Sequence, residues 1–377
     1  VPIKKYTYSD SGVNIEIEEQ AAKILYEAAK ETWSNRKDKI GEVIVPFDDF
    51  SGIRAIDISG LPKDTLLNIG FDGIGTKAEI AMLAGNYKTV GHDLMAMICD
   101  DAVVRGAEPI IAGSILDVNT LGNNKDRLKY IRELCIGYKE AAKLANIAIV
   151  NGELAQLGNH LGDPKVFSFS WGASVLWLAN KKRVFTGYEI KDGDYLVGLR
   201  EFGFRSNGLS LARKVLSDKY GKNWHEKKLG NEKMIDLALL PSIIYTNAVV
   251  SMFGGFDMKQ KPKVSIHGVA HITGGGLPGK LARVLKPSGL GAQIDNPLDV
   301  PELMLHCQSI GNIEDKEAYR TWNMGQGMVI IGPDPTKVIN IANYYGIEAS
   351  VIGKITKQKS ISIQSRSLQT GKNLKFN

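Results

Sequence analysis

The feature that most constrains the fold is a repeated alternation. In both halves of the chain, short apolar runs of strand character are followed by longer segments with apolar residues at helical spacing. TLLNIGF (65–71), PIIAGSILDV (109–118), IAIVNGEL (147–154) and VFSFSWGASVLWLA (166–179) read as strands. Residues 18–33 place Ala21, Ile24, Leu25, Ala28 and Ala29 on one helical face, and 86–106 reads as a helix ending at Gly106. Residues 125–145 repeat the pattern through Leu128, Ile131, Leu134, Cys135, Tyr138 and Ala142. Lys181, Lys182, Gly187 and the DGD at 192–194 then interrupt the chain before a new strand, YLVGLR. The second half alternates again, through RSNGLSLARKVL, a helix over 232–253, HITGGG, a helix near 278–285 and the strands MVIIG and ASVIGKI. The pattern predicts two mixed α/β domains, 1–180 and 181–377, and 377 residues is more than one core comfortably covers.

Composition narrows the function classes. Hydrophobic residues at 44% and charged residues at 23% are ordinary globular usage, which excludes a disordered or fibrous chain. The net charge of +6 sits entirely in residues 353–377, which hold Lys354, Lys357, Lys359, Arg366, Lys372 and Lys375 and no acid. The rest is neutral, so no basic face for nucleic acid is expected. Cys99, Cys135 and Cys307 are few and unclustered, unlike a disulfide framework or a zinc site, and point to a reducing, cytoplasmic setting. The most apolar stretch, 235–257, is broken by Pro241, Thr246, Asn247 and two glycines, and the first residues lack an apolar signal core. Neither a membrane span nor a secretion signal is expected.

Several loops carry residues suited to phosphate chemistry. In FDGIGTK (71–77), Asp72 ends a strand, Gly73 and Gly75 let backbone N–H groups approach an anion beside Thr76, and Lys77 adds charge. A tight turn capped by the aspartate explains the same residues. In GHDLMAMICDD, Asp93 and Asp100 are seven residues apart and share a helix face, with Asp101 adjacent. Acids among Leu94, Met95, Met97 and Ile98 are costly to bury unpaired, and Mg²⁺ would relieve that cost; a helix cap at Asp93 and a solvated DD pair form the alternative. NGEL (151–154) offers Glu153 as a metal ligand or general base. FRSNG (204–208) sets Arg205, Ser206 and Asn207 ahead of a helix, where Ser and Asn also serve as N-caps.

HGVAHITGGGLPGKL (267–281) contains G-x-x-x-x-G-K, but Leu281 stands where a true P-loop needs Ser or Thr. Thr273 and Gly274, Gly275 and Gly276 ahead of a helix still make a donor-rich pocket for a phosphate or carboxylate. The His267/His271 spacing lacks the glutamate of a zinc helix, so zinc is not expected, and His271 is a candidate acid or phosphate partner. Arg320 and Asn323, in YRTWNMGQGM (319–328), precede a buried strand and suit either strand entry or an anion contact.

Taken in order, YSDSGV (8–13), DGIGTK, HDLMAMICDD with RGAEP, GE (152–153), SNGLSLAR, LLPSIIY, HGVAHITGGG and YRTWNMGQGM resemble the aminoimidazole ribonucleotide synthetase family, the phosphoribosylformylglycinamidine cyclo-ligases. The resemblance implies two α/β domains in a homodimer, with the active site in the cleft between domains and a small nucleotide as substrate. It implies ATP and Mg²⁺, with the metal at Asp72, Asp100 and Asp101. ATP phosphates would lie on Asp72, Gly73, Gly75, Thr76, Thr273 and glycines 274–276. Arg205, Ser206, Asn207 and Arg320 would hold substrate, and Lys77, Glu153 and His271 would be catalytic. A relative phosphorylating another small amide or phosphate compound, or a non-catalytic nucleotide-binding paralogue, would share much of this pattern. The chain departs from the family at 47–56, FDDFSGIRAI, where a glycine-rich loop is usual. It also has Leu154 in place of Thr, Arg205 in place of His and Asp100 in place of Asn. The extra carboxylate would tighten metal binding or demand a pairing cation, and Arg205 would suit a ribose phosphate.

Overall fold

The computed structural model describes residues 14–44, 54–123 and 125–376. The YSDSGV segment and residues 47–53 of FDDFSGIRAI lie outside them.

Both halves are mixed α/β, as the alternation requires. The first half is built on a four-stranded sheet in the order Thr65–Gly73, Phe169–Asn180, Ala107–Val118, Ala148–Gln156. The last two strands are parallel and joined through the helix Leu128–Ala145; the other neighbours are antiparallel. The helix Val90–Val103 packs on one face of this sheet, and Leu128–Ala145 packs on that helix and meets the sheet through Tyr138 against Trp171. On its other face Leu67, Ile69, Phe71 and Ile115 stand exposed, Phe71 to 74%. The first sheet ends at Asn180 and the second begins at Tyr195. Seven strands form the second sheet, with Tyr195–Arg200 between Gln326–Gly332 and Ala349–Thr356. A continuous apolar core runs through both halves, from Leu94 and Ile98 to Phe204, Leu209, Ile272 and Trp322.

Two departures from the sequence reading matter for the site. The loop after the strand's last residue, Gly73, is only three residues long before the helix Lys77–Ala84 begins, so Lys77 is helical rather than part of an open loop. The helix expected over 232–253 is two, Met234–Ala238 and Thr246–Phe253, because Pro241 lacks the N–H that a continuous helix needs. The intervening LLPSIIY crosses to the first half and packs its backbone on Val90–Val103 through Asp93 and Asp100.

Candidate active site at the junction of the two halves

The helix Val90–Val103 is buried along nearly its whole length, and its acids divide sharply. Asp93 and Asp100, on one face, are fully buried, whereas the side chain of Asp101, one residue and about 100° further round, is 53% exposed. The buried pair is neutralised by protein cations. Lys77 Nζ lies 2.6 Å from Asp93 Oδ1 and 2.5 Å from the Leu240 carbonyl, and Ser242 donates to the same carboxylate oxygen through its hydroxyl and N–H. Arg205 Nη2 lies 2.9 Å from Asp100 Oδ2, while Asp100 Oδ1 accepts from Tyr245 N–H and the Thr246 hydroxyl. Lys77 therefore does not face a phosphate, and Asp100 does not present a carboxylate to a metal. The desolvation cost that would have favoured a metal is met by a lysine and an arginine instead.

Arg205 likewise departs from its expected role. It is fully buried, its φ of +59° is left-handed, and its fork is divided among Glu201, Asp100, the Ile243 carbonyl and His271. Burial alone would lower its pKa, but Glu201, Tyr245 and Asp100 raise it above the ordinary arginine value, so the charge is permanent. Both terminal nitrogens are taken up and the remaining Nε is buried, so the guanidinium offers no edge to a substrate phosphate at the surface.

His271, at the end of the strand Gly268–His271, is 3% exposed and has both ring nitrogens engaged. Its Nδ1 is 2.6 Å from Asp101 Oδ1 and its Nε2 is 2.8 Å from Arg205 Nη2. Neither nitrogen is free to act as an acid on a ligand. His271 orients Asp101 instead.

What reaches the cleft is a smaller group. Asp72 is half-buried, with Oδ1 accepting from its own following N–H, at Gly73 (2.7 Å). Burial raises its pKa and the charge of Asp101 adds to the rise, against the lowering effect of the Gly73 bond and Lys280. Burial would also raise Asp101, yet its pKa lies below the ordinary value because the His271 bond and the nearby positive charge of Lys280 and Arg205 outweigh it. Lys280, in the helix Gly276–Leu285, is lowered by burial while Asp101 and Asp72 pull it upward. The lysine whose charge bears on both Asp72 and Asp101 is thus Lys280, not Lys77. Its signal lay in the G-x-x-x-x-G-K string: Leu281 is buried and cannot serve a metal, but the preceding lysine lies within electrostatic range of both acids.

Three loops converge beside this group. Gly75 approaches the Ser206 carbonyl, Thr76 Oγ1 lies 3.4 Å from Ser210 Oγ, and Gly274 approaches Asn207 Oδ1. Ser206 and Asn207 do not cap the following helix, whose N-cap is Gly208 (φ +73°), and Ser206 Oγ has no hydrogen-bond partner among the described residues. Gly274 and Gly275 are exposed and Thr273 is buried, its carbonyl accepting from Gly276 N–H. The YRTWNMGQGM segment braces these loops: Trp322 Nε1 donates to the Gly208 carbonyl, Asn323 Nδ2 to the Gly203 carbonyl, and Gly276 packs against the Tyr319 carbonyl. Strand entry is its main work. Arg320 is exposed and lines a different cleft, of about 540 Å³, with Lys286, Lys359 and Phe376; none of the described contacts joins it to Asp72 or Asp101. Glu153 is exposed on the first sheet and shares a cleft of about 650 Å³ with Asp72, Gly73, Gly75 and Ser174.

Comparison with known proteins agrees with this architecture. The family model for AIR synthase related protein, N-terminal domain, matches residues 54–173, and that for the C-terminal domain matches 191–366. A phosphoribosylformylglycinamidine cyclo-ligase of Geotalea daltonii is 34% identical over 360 residues, covering 94% of this chain and 96% of the relative. The chain belongs to the AIR synthase family. A second cyclo-ligase, from Methanocaldococcus jannaschii, is also 34% identical, with 94% of each chain covered. Among solved structures, E. coli HypE aligns with a TM-score of 0.63 at 14% identity over 96% of both chains. Thiamine-monophosphate kinase from Stenotrophomonas maltophilia aligns at 0.60 and 13%, over 93% of this chain and 97% of that one. At such identities these two speak for the AIR synthase fold alone.

The family implies Mg²⁺, and the donor set can be tested against it. Among the described residues no three of His, Cys, Asp or Glu surround one point. Asp72 and Asp101 each keep one carboxylate oxygen free of the hydrogen bonds described. Two carboxylates completed by phosphate oxygens and water are the kind of ligand set Mg²⁺ takes, so these two residues fit it and Asp100 does not.

Proposed function

We propose that this chain is a phosphoribosylformylglycinamidine cyclo-ligase, converting formylglycinamidine ribonucleotide and ATP to aminoimidazole ribonucleotide, ADP and phosphate in purine biosynthesis. The observation that carries the reading is the meeting, at the junction of the two halves, of Asp72, Asp101 and Lys280 with the glycine loops 73–76 and 273–276. The end-to-end identity to cyclo-ligases supports the choice of reaction.

The chemistry asks for positioning and charge more than for covalent help. The γ-phosphoryl group passes to the amide oxygen, a poor leaving group; the ring-forming nitrogen then attacks the carbon, and the C–O bond breaks with loss of phosphate. Phosphoryl transfer needs cations on the developing charge and an in-line approach. Lys280 supplies the charge, and the exposed backbone at Gly274 and Gly275 supplies N–H donors ahead of a helix. Mg²⁺, held by Asp72 and Asp101, would neutralise the phosphates. The Ser206 carbonyl and the Asn207 side chain approach the same loops, and these two residues are assigned to substrate. Glu153, with an exposed carboxylate, is the candidate for proton movement during ring closure.

We also assign the exposed apolar face of the first sheet to a homodimer contact, since Leu67, Ile69, Phe71 and Ile115 form the kind of patch that marks an interface. The three buried free thiols fit work in the reducing cytoplasm, and no described helix is long and apolar enough to cross a membrane.

The test is incubation of the purified protein with formylglycinamidine ribonucleotide, Mg²⁺ and ATP, following ADP and the diazotisable aminoimidazole, with substrate omitted as control. Matched ADP and product support the reading. ATP binding without product would defeat the substrate assignment and direct attention to a different phosphoryl acceptor.

A further inference from the structure

Asp101 is the one acid of its helix that reaches the surface, and its direction is set from behind. A continuous chain of contacts runs Glu201, Arg205, His271, Asp101, at 2.8, 2.8 and 2.6 Å. The chemistry of each member fixes the next. A guanidinium only donates, so the bond from Arg205 Nη2 requires His271 Nε2 to be an acceptor. The ring proton then sits on Nδ1, which points at Asp101 Oδ1. That bond leaves the second oxygen of Asp101 for the cleft. Arg205 can hold this post because Glu201 and Asp100 both neutralise it in a site from which water is excluded, and its backbone there is left-handed. A left-handed arginine is strained relative to glycine or asparagine, and the four partners of its fork hold it there.

We propose that Arg205 is a positioning residue that fixes His271 as the Nδ1–H tautomer and, through it, the direction of the Asp101 carboxylate at the cleft, with Asp100 serving as its counter-charge rather than as a cation ligand. The proposal deepens the cyclo-ligase reading, on which the ligand of Asp101 rests, while the tautomer itself is a property of the protein alone. It also explains two departures from the family pattern as one change: the aspartate at 100 and the arginine at 205 neutralise each other.

The test uses the full chain with ¹⁵N-labelled imidazoles, and six histidines keep the spectrum assignable. Without ATP or substrate, His271 is expected to show a protonated Nδ1 and an unprotonated, hydrogen-bonded Nε2. Arg205→Lys keeps the charge opposite Glu201 and Asp100 but lacks the planar fork. It is expected to lose the single-tautomer signature and to raise the KM for Mg²⁺-ATP about tenfold, the size usual for partners that orient a metal ligand, with a smaller fall in kcat. If Arg205→Lys does not fold, the paired change Asp100→Asn with Arg205→His removes charge and counter-charge together. That pair is expected to melt higher than Arg205→His alone and to alter the His271 signature. A protonated Nε2 in the unmodified protein, or an unchanged tautomer and unchanged KM in a folded Arg205 variant, overturns the proposal. The predicted tautomer in a protein that makes no aminoimidazole would overturn the cyclo-ligase reading and leave the positioning role standing.

Discussion

Replacing Lys77 by Met tests whether this lysine is a ligand contact or a buried structural charge. The ammonium is 0% exposed, and its loss leaves Asp93 with only the Ser242 hydroxyl and N–H on Oδ1 and nothing on Oδ2, while the Leu240 carbonyl loses its donor. Removing one partner of a buried ion pair costs about 3–5 kcal/mol, because the other charge stays buried without compensation. The two Ser242 donors place the expected loss near the lower end, about 3 kcal/mol. For a cooperative unit of about 150–250 residues that corresponds to a fall of roughly 6–12 °C in melting temperature. The assay is thermal and urea unfolding of the unmodified protein, Lys77→Met, Asp93→Asn and the double variant. The double variant buries neither charge, so it is expected to lose less than the two single changes added together, with a coupling above about 1 kcal/mol. Stability within about 0.5 kcal/mol of the unmodified protein in Lys77→Met, together with a large rise in the KM for ATP, would refute this reasoning and return Lys77 to the phosphates.

Asp72→Asn is expected to cut kcat/KM for cyclisation by at least about a hundredfold, the scale of losing a charged transition-state contact, with circular dichroism unchanged; retained turnover would remove Asp72 from the site. Its effect on stability has the opposite sign. The folded-state pKa of Asp72 is raised, so this group's contribution is most favourable below the unfolded carboxylate value and is lost as pH rises through the folded one. The asparagine variant should therefore melt higher than the unmodified protein at pH 7, and melting scans should show the gain vanishing below the ordinary carboxylate range. Gly276→Ala is expected to lower stability by at least about 2 kcal/mol in urea unfolding, because a methyl there collides with the Tyr319 carbonyl and the φ of +60° disfavours a side chain. Phe71→Asp, on the exposed face of the first sheet, is expected to shift light-scattering mass from dimer to monomer without loss of fold; an unchanged mass would exclude this face from the contact.

Much of the fold was legible because it rests on local pattern. The strand at 65, the helix over 128–145 and the strand ending at Asn180 appear within a few residues of where apolar spacing puts them. Two glycines of the converging loops were legible as well, since Gly75 and Gly274 stand where the Ser206 carbonyl and the Asn207 side chain come close. The partners were not. Lys77 and Asp93 are 16 residues apart, Arg205 and Asp100 105, and Asp93 and Ser242 149, and no spacing rule predicts which cation crosses to which acid. The break at Pro241 was visible, but its consequence, a non-helical segment aimed back at the first half, depends on the other half being there to receive it.

The DD pair shows where physical argument from sequence reaches and where it stops. Buried acids do demand a cation, and the seven-residue spacing does put Asp93 and Asp100 on one face. The inference to a metal failed at the next step, because a metal and a basic side chain satisfy the same demand. What distinguishes them is access: a cation site for ATP must open to the cleft, and the face shared by Asp93 and Asp100 turns into the other half of the protein. Asp101, off that face, escapes burial and becomes available for chemistry. The two buried pairs, Lys77 with Asp93 and Arg205 with Asp100, then do something a metal at the same place would not. Each ties the helix Val90–Val103 to a neighbouring element and, through Leu240, Ser242, Ile243 and Tyr245, to the same crossing segment. The helix is thereby fixed in rotation, and rotation is what decides which of two adjacent aspartates meets the ligand.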